Sequence, residues 1–212
     1  MTDRTIAVIG ATGRTGRPLV QDLLDRGATV RVLVRDPSKL GNLVDRVAVV
    51  TGASTDPAAL TELVQGADTV VSALGPTNRE STLQTDTARA LLPVISAAGV
   101  RRFVGVSGAG IDIPGDQKGT RDKIISFMIQ KLGGAVAKDK ATEYQVFAGS
   151  DIDWTLVRPP RLTDGPATGK IQHDAHRPGK STSITRADLA NFVADVAMNG
   201  SYSRQAPFVC GA

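Results

Sequence analysis

The chain has 212 residues, 41% hydrophobic, 22% charged and 4% aromatic, an ordinary globular balance in a length that a single core serves, so one domain over 1–212 is expected. Its 25 Lys and Arg against 21 Asp and Glu leave a net charge of +4, yet the longest Lys/Arg run is Arg101-Arg102, with few aromatics interleaved, which speaks against nucleic acid. A single cysteine, Cys210, excludes an intramolecular disulfide, and neither a leader pattern nor a membrane-spanning apolar window is present, so a cytoplasmic protein with no membrane partner is expected.

Ile6–Ile9 reads as a buried strand, and Gly10, Gly13 and Gly16 follow it in a G-x-x-G-x-x-G pattern. Glycines at this spacing allow a sharp turn, a close backbone approach to a phosphate and tight helix packing on the sheet. The helix opening near Arg14 turns unpaired N–H groups and its positive dipole end towards that turn, which suits a pyrophosphate. Leu19, Val20, Leu23 and Leu24 carry the helix to Gly27. A second strand, Val30–Val34, ends at Arg35. Where a dinucleotide fold reads the adenosine ribose, an arginine supported by Lys39 and Arg14 favours a 2′-phosphate, hence NADP(H). Asp36 argues the other way, since a shift of one position would set a carboxylate at the ribose.

Val47–Val50 is a third strand, and Asp56 or Thr55 before Pro57 caps a helix to Gln65. A fourth strand, Thr69–Leu74, ends in Gly75-Pro76. The helix over 81–98 contains Pro93, and a kink or break is expected just before it. Arg102–Val106 is a fifth strand, delivering Ser107-Gly108-Ala109-Gly110 at its end. Strands alternating with helices in this way predict an α/β fold, a Rossmann-type doubly wound parallel sheet with helices on both faces. Residues 111–120 form a loop after a strand end, where ligands bind. Ile124, Ile125, Met128, Ile129 and Leu132 form a stripe expected to pack into the core, and a further helix covers 135–148. Ile152–Val157 is a sixth strand, closed by Arg158-Pro159-Pro160-Arg161. The segment around His173 and His176 reads as a polar hairpin loop; H-x-x-H without a third ligand nearby does not make a metal site. Thr185 caps the last helix, with Asp188 three residues in, and Pro207–Val209 is a short final strand.

Six blocks together resemble the atypical short-chain dehydrogenase/reductase group, close to the NmrA-like proteins and most like the biliverdin IXβ reductase/flavin reductase branch. They are Gly10-Ala-Thr-Gly-Arg-Thr-Gly16, Val32-Leu-Val-Arg-Asp36, Val71-Ser-Ala-Leu-Gly75, Val106-Ser-Gly108, Trp154-Thr-Leu-Val-Arg-Pro-Pro160 and Ile184-Thr-Arg-Ala-Asp-Leu-Ala190. The resemblance implies that Thr12, Gly13, Arg14 and Thr15 hold the pyrophosphate and Arg35 and Lys39 the 2′-phosphate. It implies that Leu74, Gly75 and Pro159 line the nicotinamide side, and that Ser107 bonds near nicotinamide and substrate. The substrate side would be built from segments 107–133 and 158–183.

Three departures from the group matter. The Y-x-x-x-K pair of ordinary short-chain dehydrogenases is missing, since Tyr144 is followed by Ala148 and Tyr202 by Ala206, while Lys140 remains able to approach the ribose. Ala53 stands where an aspartate is frequent, leaving Ser54 as the cofactor contact there. Arg161 replaces a histidine after the paired prolines, a cation that suits an anionic or polarised acceptor and is no proton donor at neutral pH. The expected activity is NADPH-dependent reduction of a planar conjugated acceptor, with Ser107 and Arg161 polarising it. A non-catalytic NADP(H)-sensing regulator of the NmrA-like type is the alternative.

Overall fold

The computed structural model describes residues 4–76, 80–132 and 134–212. The strands Thr5–Ile9 (β1), Thr29–Val34 (β2), Ala48–Thr51 (β3), Thr69–Ser72 (β4), Arg102–Val106 (β5) and Asp153–Val157 (β6) form one sheet in the order β3-β2-β1-β4-β5-β6. Every neighbouring pair in it is parallel. The chain winds outward from β1 to β3, then crosses back to place β4 on the other side of β1. That reversal opens a crevice beyond the strand ends, the place where ligands bind in such sheets.

Parallel strands need crossover helices, and these cover both faces. Gly16–Asp25 (α1) and the C-terminal helix pack on one face, where Ile6, Val8 and Val32 meet Leu19, Leu23, Leu189 and Val193. Pro57–Val64 (α2), Leu83–Ala97 (α3) and the helix over Gly134–Ala148 pack on the other, where Ile9, Leu33 and Phe103 meet Leu60, Leu91 and Phe147. Alternate residues of β1 thus serve opposite cores, as period-2 strands require. Asp56 caps α2 by accepting from the Ala58 N–H at 3.0 Å, and Thr185 caps the last helix by accepting from the Asp188 N–H at 3.0 Å.

Of the kink or break expected before Pro93, the break does not occur: α3 runs through the proline as one 15-residue helix. Pro93 and Arg89, whose carbonyl loses its helical partner, both lie on the exposed face, opposite buried Leu91 and Ile95. Water can serve that carbonyl, so the defect sits where it costs least. The stripe on Thr120–Leu132 (α4) does not enter the core either: Ser126 is the only buried residue of the helix. Its periodicity reports an apolar face without saying what covers it, and both faces of the sheet are already occupied by other helices.

Beyond α4 come Gly134–Ala148 (α5), then Arg161–Thr163 (β7), Ile171–Asp174 (β8), Ser183–Thr185 (β9), Arg186–Asn199 (α6) and Phe208–Gly211 (β10). β7 pairs with β9 in parallel and β8 with β10 antiparallel. The segment read as a polar hairpin loop therefore contains a strand. Ile-Gln-His-Asp carries no apolar alternation of its own, and its conformation comes from the ladder to distant β10.

Candidate functional site: a glycine cradle and an adjoining cavity

The turn after β1 lies against the end of β4. Gly10 has φ of 82°, and a Cβ there would come within 2.9 Å of the Ala73 carbonyl carbon and the Leu74 nitrogen. A Cβ on Gly16 would stand 2.0 Å from the Gly10 oxygen, and one on Gly13 3.2 Å from it. The Gly13 N–H donates to the Gly10 carbonyl at 3.0 Å, closing the turn. α1 carries neither a side-chain cap nor an acidic residue in its first turn, so its leading N–H groups have no side-chain acceptor. This cradle fits a pyrophosphate. Thr12 and Thr15 flank it, half-buried and buried, while Arg14 stands exposed, 3.4 Å from Asp164, which also pairs with Arg186 at 2.7 Å.

Arg35 is the first residue beyond β2, exposed and without a hydrogen bond or ion pair among the described residues. Asp36 turns away from it, accepting from the Ser38 N–H at 3.1 Å and the Ser38 hydroxyl at 2.6 Å. Those bonds hold its carboxyl below the usual range and cap the helical turns over Pro37–Arg46. Lys39 is exposed, 4.0 Å from Asp36. Arg17, which sequence reasoning passed over, donates to the Lys39 carbonyl and ties this segment to α1. Ser54 is engaged with Thr87, 2.7 Å between hydroxyls, so this contact leads towards α3.

At the middle of the sheet the register pairs Ser72 with Gly105, which sets Leu74 and Ser107 at corresponding strand ends. The Ser107 N–H donates to the Val157 carbonyl at 2.8 Å, while its buried hydroxyl has no partner. Lys140 of α5 donates to the Ser107 carbonyl at 3.0 Å and to the Gln84 side chain at 3.2 Å. Burial pushes the Lys140 ammonium down, against the pull of Glu143 and Asp139. One turn on, Glu143 is buried with an unpartnered Oε2. Burial pushes its carboxyl up to about 7, with Lys140 opposing and Asp139 adding to the shift. Asp139 accepts from the Gln84 and Thr85 N–H groups at 3.0 and 2.9 Å, capping α3 from a neighbouring helix. Gln84, Asp139 and Glu143 were not singled out from sequence. Their signal is one of spacing, since Asp139, Lys140 and Glu143 fall within one turn of an otherwise mixed helix.

Pro159 is buried and its carbonyl accepts from the Ala109 N–H at 2.9 Å. Gly75 is exposed, with open space where a Cβ would stand. Beside Gly108, Lys140 and Pro159 opens a cavity of about 550 Å³, walled by Ile111, Ile125, Ile129, Val136 and Phe208, with Arg121, Arg161 and Lys180 also lining it. Its lining comes from both segments 107–133 and 158–183, together with α5 and β10; Gly133, at the end of the first, lies outside the described residues. Arg161 is exposed and reaches the cavity from the side of Thr182. Ser107 and Arg161 thus stand at different parts of the site, the former at the strand ends and the latter on the cavity wall.

Part of the cavity lining, Lys118, Ser126 and Arg158, belongs to a buried charged assembly that sequence reasoning missed. Arg158 is fully buried, bonded to both oxygens of Asp116 at 2.8 and 2.6 Å and to the Ala206 carbonyl at 2.7 Å, with its guanidinium 3.6 Å from the Phe208 ring centroid. Lys118 is also buried, donating to the Ile111 carbonyl at 2.7 Å, to Asp112 at 2.6 Å and to Ser126 at 2.8 Å. These bonds fix the loop that forms the cavity's inner wall. An arginine directly after the buried run Trp154–Val157 was the available signal. His173 is engaged with the Tyr202 hydroxyl at 2.6 Å.

The sheet order and the glycine cradle define a dinucleotide-binding Rossmann protein. The chain belongs to the NAD(P)H-binding family, whose model matches residues 10–199. It is similar to the (4-alkanoyl-5-oxo-2,5-dihydrofuran-3-yl)methyl phosphate reductase of Streptomyces griseus, 30% identical over 155 residues, 73% of this chain and 46% of the relative. The chain thus spans about half the length of that relative. Among solved structures, ChuY, an anaerobillin reductase from Escherichia coli, superposes with a TM-score of 0.80 at 20% identity, covering 98% of this chain and 97% of that one. A short-chain dehydrogenase/reductase from Veillonella parvula in complex with NADP gives 0.81 at 18% identity, covering 98% and 94%. These two likenesses are of fold.

Proposed function

We propose that the protein is an NADPH-dependent reductase that passes a hydride to a planar conjugated acceptor, a flavin, quinone or tetrapyrrole. The observation that carries this reading is the apolar cavity of about 550 Å³ beside Lys140 and Pro159, within the size range of small-molecule sites. It opens at the C-terminal ends of β5 and β6, where a doubly wound sheet binds its ligands. A sensor of the NADP/NADPH ratio has no need of such a space, so the cavity favours turnover. The reductase names of the Streptomyces and Escherichia proteins support the same direction.

The chain's own residues divide the work. The N–H groups at the start of α1, with Gly13, Thr12 and Thr15, hold the pyrophosphate. Arg35, Lys39 and Arg14 bind the 2′-phosphate, while the Asp36 carboxylate is taken up by the Ser38 N–H and hydroxyl and stands 4.0 Å from Lys39. NADPH when bound supplies the hydride. Ser107 offers an unpartnered hydroxyl at the reacting end, Arg161 polarises an acceptor from the cavity wall, and the aliphatic wall excludes water. Lys140, held by the Ser107 carbonyl and Gln84, fixes the strand end. Neither tyrosine is placed as a general acid: Tyr144 packs edge-on against Trp154 and Tyr202 bonds His173. Solvent then provides the proton, as reduction of a conjugated acceptor allows. A buried, unpaired Cys210 suits a reducing cytoplasm.

Stopped-flow oxidation of NADPH in the presence of a panel of flavins, quinones and bilins tests the reading. Rapid oxidation by at least one acceptor class, slowed by Ser107→Ala, is the expected result. Tight NADPH binding with no oxidation across the panel would overturn it in favour of the sensor.

A further inference from the structure

Seven of the eight large hydrophobic side chains standing open to solvent among the described residues lie between Ile124 and Val136; Ile125, Ile129 and Val136 line the cavity, and Ile124, Phe127, Met128 and Leu132 do not. A concentration of this kind on a small protein marks a contact surface. At about 100° per residue, Ile124, Phe127, Met128 and Lys131 share the outward arc of α4, with Lys123 on one flank and Arg121 and Leu132 on the other. Phe127 is 57% and Leu132 76% exposed. Asp122 falls on the opposite side, next to Ile125 and Ile129 at the cavity. The outward half of the helix therefore combines aromatic and aliphatic side chains with the cations Lys123 and Lys131 and no carboxylate, Arg121 standing at the edge it shares with the cavity. None of those cations has an ion-pair partner among the described residues, and Lys131 lies 5.3 Å over the Phe127 ring.

We infer that this face seats on an anionic lipid surface, its apolar side chains at the boundary of headgroups and acyl chains and its cations on the headgroup charges. Charge decides the occupant. A second copy related by a two-fold axis would set the same face against itself, cations facing cations with no acid between them. An anionic bilayer meets both halves of the pattern at once. A 13-residue helix is too short to cross a membrane but long enough to lie on one, which is why a search of the sequence for spanning segments led to the expectation of no membrane contact. No helix among the described residues is long and apolar enough to cross. The other side of α4, with Ile125 and Ile129, walls the cavity.

This inference stands apart from the reductase reading and is measured without any acceptor. The full chain is sedimented with phosphatidylcholine vesicles and with vesicles containing roughly one-third phosphatidylglycerol. Binding to the anionic vesicles, roughly tenfold weaker for the neutral ones and weakened by salt, is expected. Phe127→Ser and Lys123→Glu/Lys131→Glu should each lower it roughly tenfold, with NADPH binding retained as the sign of an intact fold. Equal or absent binding to both vesicle types would overturn the inference. So would a concentration-dependent dimer in light scattering that Phe127→Ser dissociates.

Discussion

Arg35 and Glu143 show how much a single side chain's surroundings decide. Arg35 is exposed beyond the end of β2 with no partner to give up, so the whole of its charge is available to a phosphate. Arg35→Ala should raise the Kd for NADPH roughly tenfold or more and leave that for NADH nearly unchanged, since a charged hydrogen bond of this kind is worth about 1.5–3 kcal/mol; isothermal titration with both nucleotides measures it. A parallel loss for both would show that Arg35 does not read the 2′ position. Glu143 is the reverse case, a carboxyl with nowhere to put its charge. Its folded pKa of about 7 lies above the ordinary 4.5, so the folded state holds the proton more tightly than the unfolded one. Its contribution to stability is full below about pH 4.5, falls as pH rises, and is lost by about 7. At about 1.4 kcal/mol per pKa unit the change amounts to roughly 3 kcal/mol. Glu143→Gln, neutral throughout, should therefore raise Tm relative to the parent at pH 8 by roughly 5 °C or more and bring little gain at pH 5. A gain of equal size at both pH values would show that ionisation is not the cause.

The elements differ in how much of themselves they carry in local sequence. β1 and β2, α1 and α2 announce themselves through apolar period, glycine stops and caps, because their neighbours in space are also near in sequence. The glycine turn is legible for the same reason: the steric demands on Gly10 and Gly16 arise within a few residues and the next strand. α3 continues unbroken through Pro93 because the missing bond faces water, and sequence alone does not show which way a proline faces. α4 was misread for a related reason. Ile124, Ile125, Met128, Ile129 and Leu132 repeat as a core helix would, yet α1 with α6 and α2 with α3 and α5 already cover the sheet. β8 left no local trace, since its ladder to β10 joins residues far apart in the chain. Of the site, the phosphate end was readable as a motif. The Lys140, Glu143 and Gln84 grouping was not, because it forms only when α3 and α5 pack side by side.

On the scale of the whole molecule the glycine cradle and the cavity rest on different supports. The phosphate cradle is carried by β1, β2 and α1, whereas the cavity depends on Arg158 holding the end of β6, the 111–118 loop and the segment entering β10 together. That arginine is fully buried, and among the described residues its ion pair is with Asp116. Asp116→Ala would leave a desolvated guanidinium without its counter-charge, at a cost of about 3–5 kcal/mol, or roughly 10 °C in Tm. Replacing both partners together, Arg158→Met with Asp116→Leu, removes the charge that needs a partner and should recover much of that loss. Since the cradle lies elsewhere, NADPH affinity below the melting transition should change little in the single variant, while the apparent KM for the acceptor rises roughly tenfold as the loop loses its anchor, by analogy with the cost of a misplaced positioning group. Thermal melts, nucleotide titration and steady-state rates on the same preparations separate these effects. If Asp116→Ala weakened NADPH binding as much as it raised the acceptor KM, the two halves would be one cooperative unit, and the division of labour between cradle and cavity would have to be abandoned.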